Sequence, residues 1–149
     1  MSMIQKSTVT LHKYNAAWGL PDLSPFCIKV ETYLRMIGVP FEPVVTDSRK
    51  APKKKLPFVT DGDSVIDDSR DIIAHFEAKV AEPLDAGLGD RDRATSVAFR
   101  ALLEAEAYFY AVHLRWQLDS GWKIYQPVLR DYGRAIGVPV RRGVCPARM

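Results

Sequence analysis

The stretch "LSPFCIKVETYLRMIGVPFE", residues 23–42, begins as a helix and ends as a strand. Ser24 followed by Pro25 is a helix start, with Ser at the N-cap and Pro at the first helical position. Ile28, Val30, Tyr33, Leu34 and Ile37 then recur at roughly helical spacing. Gly38 ends the helix and Pro40 lies just beyond it. "FEPVVT" follows as a short strand, which Pro43 restricts to an edge or irregular position. "SPFC" has the form of a Cys-Pro-x-Cys redox pair with Ser24 in the first place. A dithiol cycle needs both thiols, so it cannot run through this motif. Cys27, one turn into the helix, reads as a buried and unreactive thiol.

Upstream, "STVTLHKYN" (7–15) is β-branched and aromatic over the length of a strand. "AAWGLPDL" is a loop broken by Gly19 and Pro21. Downstream, "DSRKAPKKK" (47–55) is a polar, basic connection. "LPFVTDGDSVIDD" reads as two strands joined at Asp61-Gly62, a strong hairpin signal. "DSRDIIAHFEAKV" opens with capping residues and places Ile72, Ile73, Phe76 and Val80 on one side of a helix. "EPLDAGLGD" (82–90) has linker composition, and a single long helix is expected from there to Gly121. A last helix is expected through "WKIYQPVLRDYGRAI", with Pro127 near its start.

The chain has 149 residues, enough for one domain, or for one and part of a second, and enough to bury a core. Its net charge of +3 makes no case for nucleic acid. Two Cys, Cys27 and Cys145, give no disulfide framework, and a reducing compartment is the default. The first residues lack the apolar core of a signal peptide, and no apolar run reaches the length of a membrane span. The expected home is the cytosol. His12, His75 and His113 share no metal-ligand spacing, so no metal is expected.

The order of elements is β-α-β then β-β-α, followed by helices. That is an α/β thioredoxin-like N-terminal domain with an all-α C-terminal region. With "LSPFCIKVETYLRMIGVPFE" and "KLPFVTDGDSVIDDSRDI", the sequence resembles the glutathione S-transferase superfamily. Through "SPFCIKVETYLR" and "DDSRDI" it resembles the Fax/metaxin-like branch, that of the failed axon connections and metaxin proteins. The resemblance implies a glutathione-binding domain over residues 1–81, a linker over 82–90 and a helical domain over 91–149. Full members carry a larger helical domain, so this one reads as short and incomplete.

The resemblance also implies roles. Ser24 falls where members place the hydroxyl or thiol facing the glutathione sulfur. A hydrogen bond to a charged group is worth about 1.5–3 kcal/mol, which lowers a thiol pKa by roughly one to two units. Tyr14, at the end of the first strand, is the alternative hydroxyl. Pro57 after Leu56 is cis in the family and exposes the backbone before it to the cysteinyl unit. Lys55 matches the position that holds the glycine carboxylate. Asp68 and Ser69 match the pair that binds the γ-glutamyl end, where Ser69 and the free N–H groups of a helix start face a carboxylate. Trp18 is placed to wall an apolar pocket for a second substrate. Each also has a plain reading: Ser24, Asp68 and Ser69 as helix caps, Pro57 as a strand start, Lys53 to Lys55 as a solvated loop, Tyr14 and Trp18 as packing residues.

Three activities follow from these residues. The first is transfer of glutathione, as co-substrate, to a small apolar electrophile. The second is a non-enzymatic binding or assembly module, in line with the short 47–55 connection. The third is thiol reduction by Cys27 alone, for which Cys27 sits at the wrong end of the motif. A homodimer is also expected. Val97, Leu102, Leu103, Phe109, Val112, Leu114 and Trp116 lie on more than one side of the long helix and call for cover. Leu102, Phe109 and Trp116 are the residues expected to be left uncovered.

Overall fold

The computed structural model describes residues 9–139, which leaves Cys145 outside the described residues. They divide into two compact units, one up to Leu84 and one from Asp85 onward.

The first unit carries a four-stranded sheet in the order β2-β1-β3-β4. Strand β1 (Val9–Lys13) is followed by helix α1 (Pro25–Met36) and β2 (Phe41–Val45). The hairpin β3 (Phe58–Asp61) and β4 (Ser64–Asp67) precedes helix α2 (Ser69–Glu77). β1 pairs in parallel with β2, Val9 opposite Phe41, and antiparallel with β3, Leu11 opposite Val59. This is the thioredoxin-like βαβ-ββα arrangement read from the sequence. Pro43 sits on the edge strand β2, where a missing N–H costs least. The hairpin turn is Gly62-Asp63, with Asp61 opposite Ser64, one residue later than expected. Gly62 takes φ 58°, which suits glycine in a two-residue turn.

The core packs Val9, Leu11 and Val59 of the sheet with Val30, Tyr33 and Leu34 of α1 and Ile72 and Phe76 of α2. The spacing 27, 30, 31, 34 on α1 is the buried face of a 3.6-residue period. Three side-chain bonds tie down α2 and the residue Lys79 just after it. The Tyr33 hydroxyl donates to Glu77 Oε1 at 2.7 Å. Asp61 Oδ2 bonds Lys79 Nζ at 2.6 Å and His75 Nε2 at 2.8 Å. The Lys79 and His75 bonds hold the Asp61 carboxyl below its ordinary value. Its stabilising contribution is therefore present above the unfolded carboxylate pKa and is lost as pH falls below that. Asp61→Asn is expected to cost about 1 kcal/mol in urea unfolding at neutral pH. The difference from wild type should shrink in acid, and one that held constant with pH would remove charge as its cause.

The second unit is helical. It comprises α3 (Asp90–Ala101), a π-helical segment (Leu102–Ala107), α4 (Tyr108–Trp116) and α5 (Asp119–Ala135). The single helix expected up to Gly121 is thus corrected. It ends at Trp116, and Gly121 lies inside α5. Pro127 lies in the middle of α5, not near its start. Val97, Leu102, Leu103, Phe109 and Leu114 are exposed in this unit. Trp116, expected to be uncovered, packs instead on Trp122 and Tyr125, at ring distances of 5.7 and 5.8 Å. No helix among the described residues is long and apolar enough to cross a membrane.

Candidate functional site

The chain leaves β1 at Lys13 and turns back at Trp18-Gly19, both with positive φ, closed by paired bonds between Ala17 and Leu20. It then enters α1 at Ser24. Ser24 has the extended N-cap backbone, φ −101° and ψ 127°, but its side chain makes no capping hydrogen bond. The plain reading of Ser24 as a helix cap therefore accounts for its backbone and not for its hydroxyl. Its amide donates to Asp22 Oδ1 at 2.7 Å.

Cys27, Ala51, Leu56 and Phe58 form a second buried cluster, against which Tyr14 packs. The cluster brings the end of β1, the first turn of α1 and the loop before β3 to one place. The Leu56–Pro57 peptide is cis. Burial, then the Asp22 charge, push the Cys27 thiol well above its ordinary value. A thiol so held is protonated and unreactive at neutral pH.

At the start of α2, Asp68 is the N-cap, and its Oδ1 accepts the Arg70 amide at 2.9 Å. Its φ of 66° with ψ 131° is a rare backbone for a residue with a Cβ. Ser69 begins the helix and is only 5% exposed. The Lys29 ammonium reaches it from α1 and donates to Ser69 Oγ at 3.1 Å. Lys53 pairs with Asp67 at 2.9 Å, while Lys55 and Trp18 lie on the surface. The 47–55 connection contains one 3-10 turn, Ser48–Lys50, capped by Asp47. The structure thus gathers Tyr14 and Leu56 around Cys27, with Pro57 next to Leu56 in the chain and Ser24 capping the same helix. Ser69 is joined to that helix through Lys29, and Asp68 stands next to it as the cap of α2.

Four residues that the sequence reading passed over complete this region. Lys13 is buried and donates to Glu31 Oε2 and to the Pro21 carbonyl, each at 2.5 Å. Burial opposes the Glu31 charge, but the bonds from Lys13 and Arg35 prevail and hold its carboxyl below the ordinary value. Asp22 is fully buried, and burial pushes its carboxyl up to about 6 against the pull of the Ser24 amide and Lys13. Lys29 is the fourth. Lys13 and Glu31 were legible in principle. Each stands at an inward position of its element, Lys13 after Val9 and Leu11, Glu31 between Val30 and Leu34, and a charge there requires a buried partner.

The family described as glutathione S-transferase N-terminal domain matches residues 25–122. The chain is 36% identical over 127 residues to isoprene-epoxide–glutathione S-transferase of Rhodococcus sp. (strain AD45), covering 81% of this chain and 53% of that protein. It is 36% identical over 131 residues to Failed axon connections of Drosophila melanogaster, covering 86% and 29%. It is 31% identical over 130 residues to Metaxin-1 of Homo sapiens, covering 85% and 27%. The chain spans about half the length, or less, of these curated relatives. Among solved structures, glutathione S-transferase III in apo form superposes with a TM-score of 0.59 at 22% identity, covering 86% of this chain and 63% of that one. Ure2p in complex with glutathione gives 0.58 at 19%, covering 87% and 62%. Likeness at that identity speaks for the fold alone. The sequence match spans both units, and the sheet order and helix placement agree with it: the chain belongs to the glutathione S-transferase N-terminal domain family.

Proposed function

We propose that this chain provides the glutathione site of a transferase, in which the Ser24 hydroxyl donates to the glutathione thiolate and the thiolate attacks a small apolar electrophile. The observation that carries this reading is the Ser24 side chain, at a helix start and uncommitted to capping it. The helix N-terminus beneath it favours negative charge in the same direction. The cysteinyl backbone of glutathione lies against Leu56 and Pro57, its glycine carboxylate at Lys55, and its γ-glutamyl end at Asp68 and Ser69. Tyr14, packed on the Cys27 cluster, is the second candidate hydroxyl. Trp18, 49% exposed, borders the acceptor side. Turnover of an aryl halide or a small epoxide with glutathione tests the reading. Ser24→Ala should lower the rate about ten- to a hundredfold, the loss of one charge-assisted bond. Equal rates in the two proteins would sink it.

Lys29 adds a cation at the γ-glutamyl end, beside Ser69 Oγ. Lys29→Met is expected to weaken glutathione binding about tenfold, or about 1.4 kcal/mol. A glutathione analogue lacking the α-carboxylate should bind both proteins alike. An equal loss with the analogue would show that Lys29 acts on the fold instead.

A second reading is a binding or assembly module without turnover. It is favoured by one feature, the buried Asp22 beside Ser24, whose negative charge opposes a thiolate there. Saturable glutathione binding with turnover would remove it. In either reading the chain acts as a homodimer that covers the exposed Leu102, Leu103 and Phe109. Light scattering at twice the chain mass supports this, and a monomer over a wide concentration range refutes it.

A further inference from the structure

Asp22 is a buried carboxylate that neither core packing nor the thiol chemistry above requires. It is 0% exposed, and its Oδ1 accepts the Ser24 amide at 2.7 Å. Its Oδ2 accepts no hydrogen bond among the described residues. The nearest cation, Lys13 Nζ, stands 3.9 Å away and donates to Glu31 and to the Pro21 carbonyl instead. One buried ammonium therefore faces two buried carboxylates. From the end of β1, Lys13 and the Tyr14 amide face Asp22; from α1, the Cys27 thiol does, with Glu31 behind Lys13. Arg35 meets Glu31 from the solvent side. A buried charge with an unsatisfied oxygen is costly, and a proton on Oδ2 removes the charge.

A thiolate formed at Ser24 places a second negative charge beside this carboxylate. Two like charges at close range bind a proton between them more tightly than either does alone. We propose that Asp22 is the proton acceptor of the thiol site, so that a thiol ionising at Ser24 passes its proton to Asp22 Oδ2 and not to solvent. This rests on the thiol-ionising reading of the site. The S–H bond breaks with its electron pair left on sulfur, an O–H bond forms at Oδ2, and the charge of the site is unchanged. The Cys27 thiol interacts with both the Ser24 side chain and the Asp22 carboxylate. Burial already holds the Asp22 carboxyl at about 6, so a neighbouring negative charge carries it across neutrality.

A proton count on the full chain decides this. Glutathione is added at neutral pH in weak buffer with an indicator dye, while ultraviolet absorbance counts thiolates. S-methylglutathione, which has no thiol, gives the background. Wild type is expected to release on the order of half a proton or less per thiolate formed. Asp22→Asn should release one proton per thiolate, or form several-fold fewer thiolates. One full proton per thiolate from wild type overturns the proposal whether or not the variant folds. Equal retention by wild type and Asp22→Asn also overturns it. No thiolate signal in wild type removes the thiol-ionising reading itself, and the role of Asp22 with it.

Discussion

Gly121→Ala is expected to destabilise the helical unit by about 3 kcal/mol, the upper end of the cost of overpacking a closed contact. Only Gln117 and Leu118 connect α4 to α5, so the first turn of α5 folds back over the last turn of α4. A Cβ on Gly121 would lie 1.8 Å from the Leu114 carbonyl oxygen and 2.8 Å from its carbon. Those atoms are backbone, and no rotamer change can clear them. The two helices must separate there, which disturbs the packing of Trp116 on Trp122 and Tyr125. Helix propensity alone argues the other way, since Ala is favoured over Gly by about 1 kcal/mol inside a helix. The sign is therefore decisive. Urea unfolding with near-ultraviolet dichroism should show a loss of stability and of the tryptophan signal. A variant as stable as wild type, or more stable, would show that α4 and α5 do not approach this closely.

Asp22 carries the second large effect. Burial raises its carboxyl from 3.8 to about 6 in the folded protein. A group raised in this way favours the folded state when protonated. Its contribution is fully present below the unfolded value and is lost as pH rises through about 6. The shift corresponds to about 3 kcal/mol between the two limits. Wild type should gain stability as pH is lowered from neutral toward 4, relative to Asp22→Asn, whose amide does not titrate. Other carboxylates titrate in both proteins and cancel in the difference. A difference that is flat with pH would mean that Asp22 is solvated or fully paired. A folded protein that keeps an ionised carboxylate here at neutral pH sacrifices stability, as the role proposed for Asp22 requires.

The N-terminal unit was legible because each signal is local and the signals agree. Ser24-Pro25 starts a helix, Pro43 forces an edge, and Asp61-Gly62 marks a hairpin to within one residue. The helical unit was less so. "LLEAEA" contains no Gly or Pro, and nothing local announces its π-helical winding. The break after Trp116 is also unmarked, and Gly121 drew the boundary to itself although close helix approach is what it serves. Pro127 sits within α5, where packing of Trp122, Tyr125, Leu129 and Tyr132 outweighs one missing hydrogen bond. At the site, sequence reading named residues by hydroxyl, helix start or matching family position. It missed Lys13 and Glu31, although their inward positions call for a buried partner, and it missed Lys29, whose partner Ser69 is distant in sequence, and Asp22, whose burial no local signal announces.

The pKa of glutathione's thiol when bound to this protein tests the central claim most directly. It is read from thiolate absorbance against pH, for wild type and for Ser24→Ala, at glutathione concentrations shown by calorimetry to saturate. A Ser24 hydroxyl donating to sulfur predicts saturable binding and a thiol lowered by about one to two units in wild type. Most of that lowering should be lost in Ser24→Ala. No saturable binding, or the same thiol pKa in both proteins, would contradict it.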